Sequence, residues 1–130
     1  TALAIAALSP GTPPWCAEPE AFDDHRRSLA AGERLANDPG ARSICDALQA
    51  PMPGVLTFEI NRRLLAGGFA VSDEEGRAAI ACAARELEPG GAVALAAVLA
   101  GKLATRGRTV AVVLSGGNID DAILAGILDA

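Results

Sequence analysis

Residues 109–118 read TVAVVLSGGN, and this stretch decides the fold class. Thr109 to Leu114 form an unbroken, β-branched apolar run of the kind found in strands buried on both faces. Ser115-Gly116-Gly117-Asn118 then turns the chain before a helix expected over 120–129. A strand, a glycine turn and a helix in that order belong to α/β proteins with parallel sheets, whose ligands bind at the carboxyl ends of the strands. Paired glycines let a ligand approach the backbone, and the serine hydroxyl can donate or accept a hydrogen bond. Taken alone, such a segment is more often an ordinary strand-to-helix turn.

Working outward, the same alternation continues. Two shorter strands are expected at 14–17 and 69–71. Helices are expected over 1–8, 21–31, 55–65 and 92–103, with a short one at 44–48. Ser9-Pro10-Gly11, Asn37-Asp38-Pro39-Gly40 and Gly67-Gly68 supply the breaks. Ser72-Asp73-Glu74-Glu75 is a capping box and opens a further helix running to about Leu87. Three strands for this many helices make a thin parallel sheet.

Composition narrows the function. The 130 residues suit one domain and carry 51% hydrophobic residues, well above a disordered chain. Aromatics are only 3%, so the core must be built from Ala, Leu, Val and Ile. A net charge of −5 argues against a nucleic-acid partner. No apolar run reaches the roughly 18 residues of a membrane span, and TALAIAALSP (1–10) lacks the basic start of a signal peptide. Cys16, Cys45 and Cys82 are odd in number and widely spaced, which fits reduced thiols of a cytoplasmic protein.

Few side chains can carry chemistry. Glu18, Asp23 and Asp24 place carboxylates close together after a strand, oxygen donors suited to Mg²⁺ or Ca²⁺. A solvated loop with an acidic helix start is the commoner reading of such spacing. Lys102 is the only lysine, and its place at a helix end points to a structural role. Cys45 and His25 are the only conceivable nucleophile–base pair, and no third group orients them. Arg62 and Arg63 read as a solvated face or an interface pair.

In order along the chain, AEPEAFDD (17–24), RSLAAGER (27–34), SICDAL (43–48), PGVLTFEIN (53–61), VSDEE (71–75), EPGGAVALAAVLAGK (88–102) and VAVVLSGGNID (110–120) resemble a known family. They are similar to the C-terminal part of fold-type II pyridoxal-phosphate enzymes, the threonine dehydratase and serine racemase group. The resemblance implies an α/β, three-layer parallel-sheet fragment of the tryptophan synthase beta-like fold, with 1–130 forming the C-terminal part of the cofactor-binding large domain. It also implies that Ser115 hydrogen-bonds the pyridine nitrogen of pyridoxal 5'-phosphate. Gly116, Glu88 and Asn118 would lie in or near the cofactor pocket. A divalent cation, Mg²⁺ or Ca²⁺, would be held by Glu18, the carbonyl of Phe22 and Asp24.

The implied reaction converts L-threonine or L-serine to a 2-oxo acid and ammonia in a homodimer, with racemase or hydroxyaspartate dehydratase activity as alternatives. The family's Schiff-base lysine and glycine-rich phosphate loop have no counterpart here. The chain alone is therefore expected to be inactive, as part of a larger enzyme. A non-catalytic α/β binding module is the competing reading. Ala47 stands where relatives often carry glycine, and Arg85-Glu86-Leu87 runs straight through where relatives have a strand.

Overall fold

The structure, a computed structural model, describes residues 1–83, 87–117 and 119–128. Helix α1 spans Ala2–Leu8, strand β1 Trp15–Pro19, helix α2 Asp24–Ala31 and helix α3 Val55–Leu64. Strand β2 spans Gly67–Val71, followed by helices α4 (Asp73–Ala83), α5 (Pro89–Leu99) and α6 (Asp121–Leu128). The strands pair in parallel, Trp15 opposite Gly67 through Pro19 opposite Val71. The parallel arrangement expected from the sequence is present.

Alternation along β2 decides what covers each face. A side chain added at Gly68 would collide with Cys16 and Arg26, so this face lies directly beneath α2. Phe69 and Val71 point the other way, into the core with Ala17 and α5. Helix α5 is apolar all round (PGGAVALAAVL), the composition of a helix buried between layers. It contacts both strands on one side and α4 on the other, and α6 lies outside α4. The α2, sheet and α5 layers are the three expected.

Small residues make this stacking close. The core consists of Cys45, Val71, Ala79, Ile80, Ala92, Val93, Ala96 and Ala97, with Gly76 and Gly91 also buried in the facing helices. The Ser72–Glu75 capping box forms in both directions, with the Glu75 backbone N–H donating to the Ser72 hydroxyl and the Ser72 N–H donating to the Glu75 carboxylate. Lys102 Nζ reaches the other Glu75 oxygen at 2.9 Å, so the lone lysine ties the end of α5 to the start of α4. Its structural role is borne out. Arg62 pairs with Glu59 at 2.8 Å on the half-open face of α3.

One strand fails to appear. Residues 109–114 form no ladder among the described residues, and Val113 and Leu114 are 68% and 47% exposed. The run lies across an apolar cleft of about 550 Å³ whose other wall includes Trp15, Ala17 and Phe69. β-Branched composition signals that a segment suits a sheet; it does not supply the neighbouring strand whose N–H and C=O groups complete one. The short helix at 44–48 is a 3₁₀ turn over Asp46–Leu48, and the helix expected from 21 begins as a 3₁₀ turn, Glu20–Phe22. Residues Arg85 and Glu86 lie outside the described residues.

Ile80 is fully buried between α4 and its neighbours, whereas Leu56 is 73% exposed on α3. Thermal or urea unfolding should therefore show Ile80→Ala losing about 2–5 kcal/mol and Leu56→Ala changing stability by no more than about 0.5 kcal/mol. Equal losses would contradict the placement of the core between α4 and α5.

Candidate functional site

Two glycine turns remote in sequence meet at the N-terminus of α5. The Glu88 backbone N–H donates to the Gly116 carbonyl at 3.0 Å. Gly91 faces the Ser115 carbonyl so closely that a side chain at 91 would run into that backbone. Gly116 lies against the Glu88 side chain and adopts φ +75°, a left-handed conformation that favours glycine. The Glu88-Pro89-Gly90-Gly91 turn and the Ser115-Gly116-Gly117 turn therefore interlock, and both glycines are needed for steric reasons.

A third segment joins them. Gly90 packs against Leu48 and Ala47, placing the 43–49 loop beside the same helix end. That loop is pinned by Asp73 at the start of α4, which accepts from the Ser43 hydroxyl at 2.6 Å and the Ile44 N–H at 3.1 Å. The Ser115 hydroxyl is exposed and makes no hydrogen bond among the described residues, leaving its bonding capacity for a ligand. Ser115, Gly116 and Glu88 are thus brought together. Asn118 lies outside the described residues.

These features fit pyridoxal phosphate on one count: an unengaged serine hydroxyl on an exposed glycine turn suits a ring nitrogen.

The acidic segment lies elsewhere, at the start of α2. Glu18, the penultimate residue of β1, turns its carboxylate onto the helix, accepting the backbone N–H of His25 at 3.1 Å and of Arg26 at 2.7 Å. Burial, only partly offset by those two donors and aggravated by Asp24 and Asp23, pushes the Glu18 carboxyl up to about 7. Asp23 is different: burial opposes its ionisation, but hydrogen bonds from Arg27 and Arg26 outweigh that and hold its carboxyl below the usual range. Both guanidinium groups pair with Asp23. Asp24 is only 4% exposed, and its Oδ1 accepts from Asn37 while its Oδ2 accepts no hydrogen bond among the described residues.

Of the three carboxylates suggested by spacing, Asp23 pairs with arginine, whereas Glu18 and Asp24 form no ion pair among the described residues. Among the described residues no three His, Cys, Asp or Glu side chains form a metal cluster. The set would be two carboxylates and the buried Phe22's carbonyl, all hard oxygen donors of the type Mg²⁺ and Ca²⁺ take.

The nucleophile candidates separate. Burial pushes the Cys16 thiol up to about 12 and raises Cys45 as well, so neither offers a thiolate near neutral pH. His25 meets Asn61 through Nε2 at 3.1 Å and Phe58 edge-on, and shares no hydrogen bond with Cys45 among the described residues. Sequence reasoning read Asn37 only as part of a turn. The turn is there, closed from Asp38 to Ala41, but Asn37 itself faces inward.

Comparison with known proteins agrees with this geometry. The family described as "Pyridoxal-phosphate dependent enzyme" matches residues 1–116. A beta-hydroxyaspartate dehydratase of Paracoccus denitrificans is 34% identical across 92% of the chain. A solved threonine deaminase from the organism abbreviated T.th. superposes with TM-score 0.82 at 39% identity, over 92% of this chain and 41% of that one. The maize serine racemase structure gives TM-score 0.83 at 32% identity, over 96% of this chain and 40% of that one. The chain spans about two fifths of the length of these relatives, 39% of the dehydratase. With its glycine turns interlocked at the head of α5 and the family match running through Gly116, the chain belongs to the pyridoxal-phosphate dependent enzymes.

Proposed function

We propose that these residues form the C-terminal part of the cofactor domain of a hydroxy-amino-acid ammonia-lyase, which converts L-threonine, L-serine or L-threo-3-hydroxyaspartate to a 2-oxo acid and ammonia. The observation that carries this reading is the interlock of the 88–91 and 115–117 turns, which leaves the Ser115 hydroxyl open. The hydroxyaspartate dehydratase and threonine deaminase among the relatives support the substrate class.

Ser115, Gly116 and Glu88 are the residues that would hold the cofactor. Pyridoxal phosphate, when bound, supplies a conjugated ring that withdraws electron density from the substrate's α-carbon. Ser115 gives the ring nitrogen a neutral hydrogen-bond partner, which does not force a proton onto it as a carboxylate would. That moderates electron withdrawal and suits loss of a β-hydroxyl. Gly116 makes room for the Glu88 side chain, and Glu88 fixes that turn beneath Ser115 through its own N–H.

A divalent cation at Glu18, Asp24 and the Phe22 carbonyl belongs to the same reading. It is supported by the buried Asp24 carboxylate and the half-buried Glu18, whose carboxyl resists ionising. The unpaired cysteines support a cytoplasmic location. Exposed Leu3, Leu8, Val55 and Leu56 on the contacting helices α1 and α3 support a homodimer.

The direct test is release of 2-oxo acid and ammonia from each candidate substrate by the protein carrying these residues with pyridoxal phosphate. Within it, Ser115→Ala should lower kcat/KM roughly tenfold, as loss of one neutral hydrogen bond implies, while KM stays nearly constant. An unchanged kcat/KM would remove Ser115 from the role.

The cation has a separate signature. A carboxyl raised to about 7 in the folded state disfavours folding once it must ionise. Its contribution is present below the ordinary glutamate range and lost as pH rises through about 7. His25, which burial lowers, works in the opposite direction over neighbouring pH values. The difference between unaltered protein and Glu18→Gln isolates Glu18. In EDTA the variant should gain relative stability from pH 5 to 8, and Mg²⁺ or Ca²⁺ should raise the melting temperature of the unaltered protein only. A cation response that survives in Glu18→Gln would contradict the assignment.

A further inference from the structure

Asn37 stands outside the Glu18, Phe22 and Asp24 set, in a loop without regular structure. It is 8% exposed, and its backbone N–H and both halves of its side-chain amide are engaged. Its backbone N–H donates to the Pro51 carbonyl at 2.8 Å. One Nδ2 donates to Asp24 Oδ1 at 2.6 Å and to the Ala50 carbonyl at 2.8 Å. Its Oδ1 accepts from the Arg27 guanidinium at 2.7 Å, and the same guanidinium donates through Nε to Asp23 Oδ1 at 2.6 Å.

This pattern admits only one orientation of the amide. Rotated by half a turn, the carbonyl would face the Asp24 carboxylate and the NH₂ would face a guanidinium that can only donate. Burying an amide costs free energy unless its groups are paired, so volume alone does not account for this residue. The result is a continuous chain from Asp23 through Arg27 and Asn37 to Asp24. One aspartate is neutralised by arginine. The other is held by a neutral donor, which fixes it without cancelling its charge.

We propose that Asn37 is the positioning residue of the divalent-cation site: by holding Asp24 Oδ1 it sets the carboxylate plane and leaves Oδ2 for the cation. The inference rests on the reading of Glu18 and Asp24 as cation ligands. Partners that orient metal-ligating carboxylates usually contribute about 10–100-fold in affinity.

Ser28 provides the control. It is fully buried in α2 and its hydroxyl accepts the Leu35 N–H at 2.8 Å, so it secures the same loop without a side-chain hydrogen bond to the Asp24 carboxylate. The experiment is calorimetric titration of the cofactor-loaded protein with MnCl₂, alongside circular dichroism to confirm folding. Asn37→Ala should weaken Mn²⁺ binding roughly 10–100-fold, Asp24→Asn should abolish it, and Ser28→Ala should leave it within about twofold while lowering stability. If Asn37→Ala does not fold, Asn37→Ser, which keeps a short hydroxyl, carries the same comparison. Equal affinity in the Asn37 variant and unaltered protein, or equal losses in the Asn37 and Ser28 variants, overturns the positioning role alone. Absence of Mn²⁺ binding in the unaltered protein overturns the cation reading and this role together.

Discussion

The hydrogen bond from the Glu88 N–H to the Gly116 carbonyl, with Gly91 pressed on the Ser115 carbonyl beside it, is the constraint on which the site depends. It closes a loop between the head of α5 and a turn more than twenty residues away along the chain. Nothing larger than glycine fits at either contact. Because α5 is itself held between the sheet and α4, the turn that carries Ser115 inherits its position from the most buried element of the molecule. The core and the site are therefore one mechanical unit.

Electrostatics divides the second region with equal economy of parts. Asp23 and Asp24 are adjacent in sequence, yet one is saturated by two arginines and the other is paired with an amide. Glu18 takes the backbone donors at the start of α2 and still resists ionising, because burial outweighs two hydrogen bonds.

Much of this was legible in the sequence. Helical periodicity located α3, the capping box located the start of α4, and the Gly/Pro breaks located the turns. The order of motifs pointed to the family, and EPGGA with SGGN pointed to the segments that interlock. What was not legible is what depends on partners. Thr109 to Leu114 has the composition of a buried strand but no ladder among the described residues, since composition does not encode a neighbour. Asn37 was hidden inside a plausible turn, because local turn chemistry uses Asp38 and Gly40 and says nothing about an amide facing the other way. Asp23 and Asp24 look alike until the arginines three and four residues on are seen to choose the first.

The most direct measurement is a crystal structure of the protein carrying these residues with pyridoxal phosphate bound. The expected result is a ring lying along the Gly116 turn with its nitrogen within hydrogen-bond distance of the Ser115 hydroxyl and Glu88 at its edge. A cofactor bound away from the 88–91 and 115–117 turns would contradict the site.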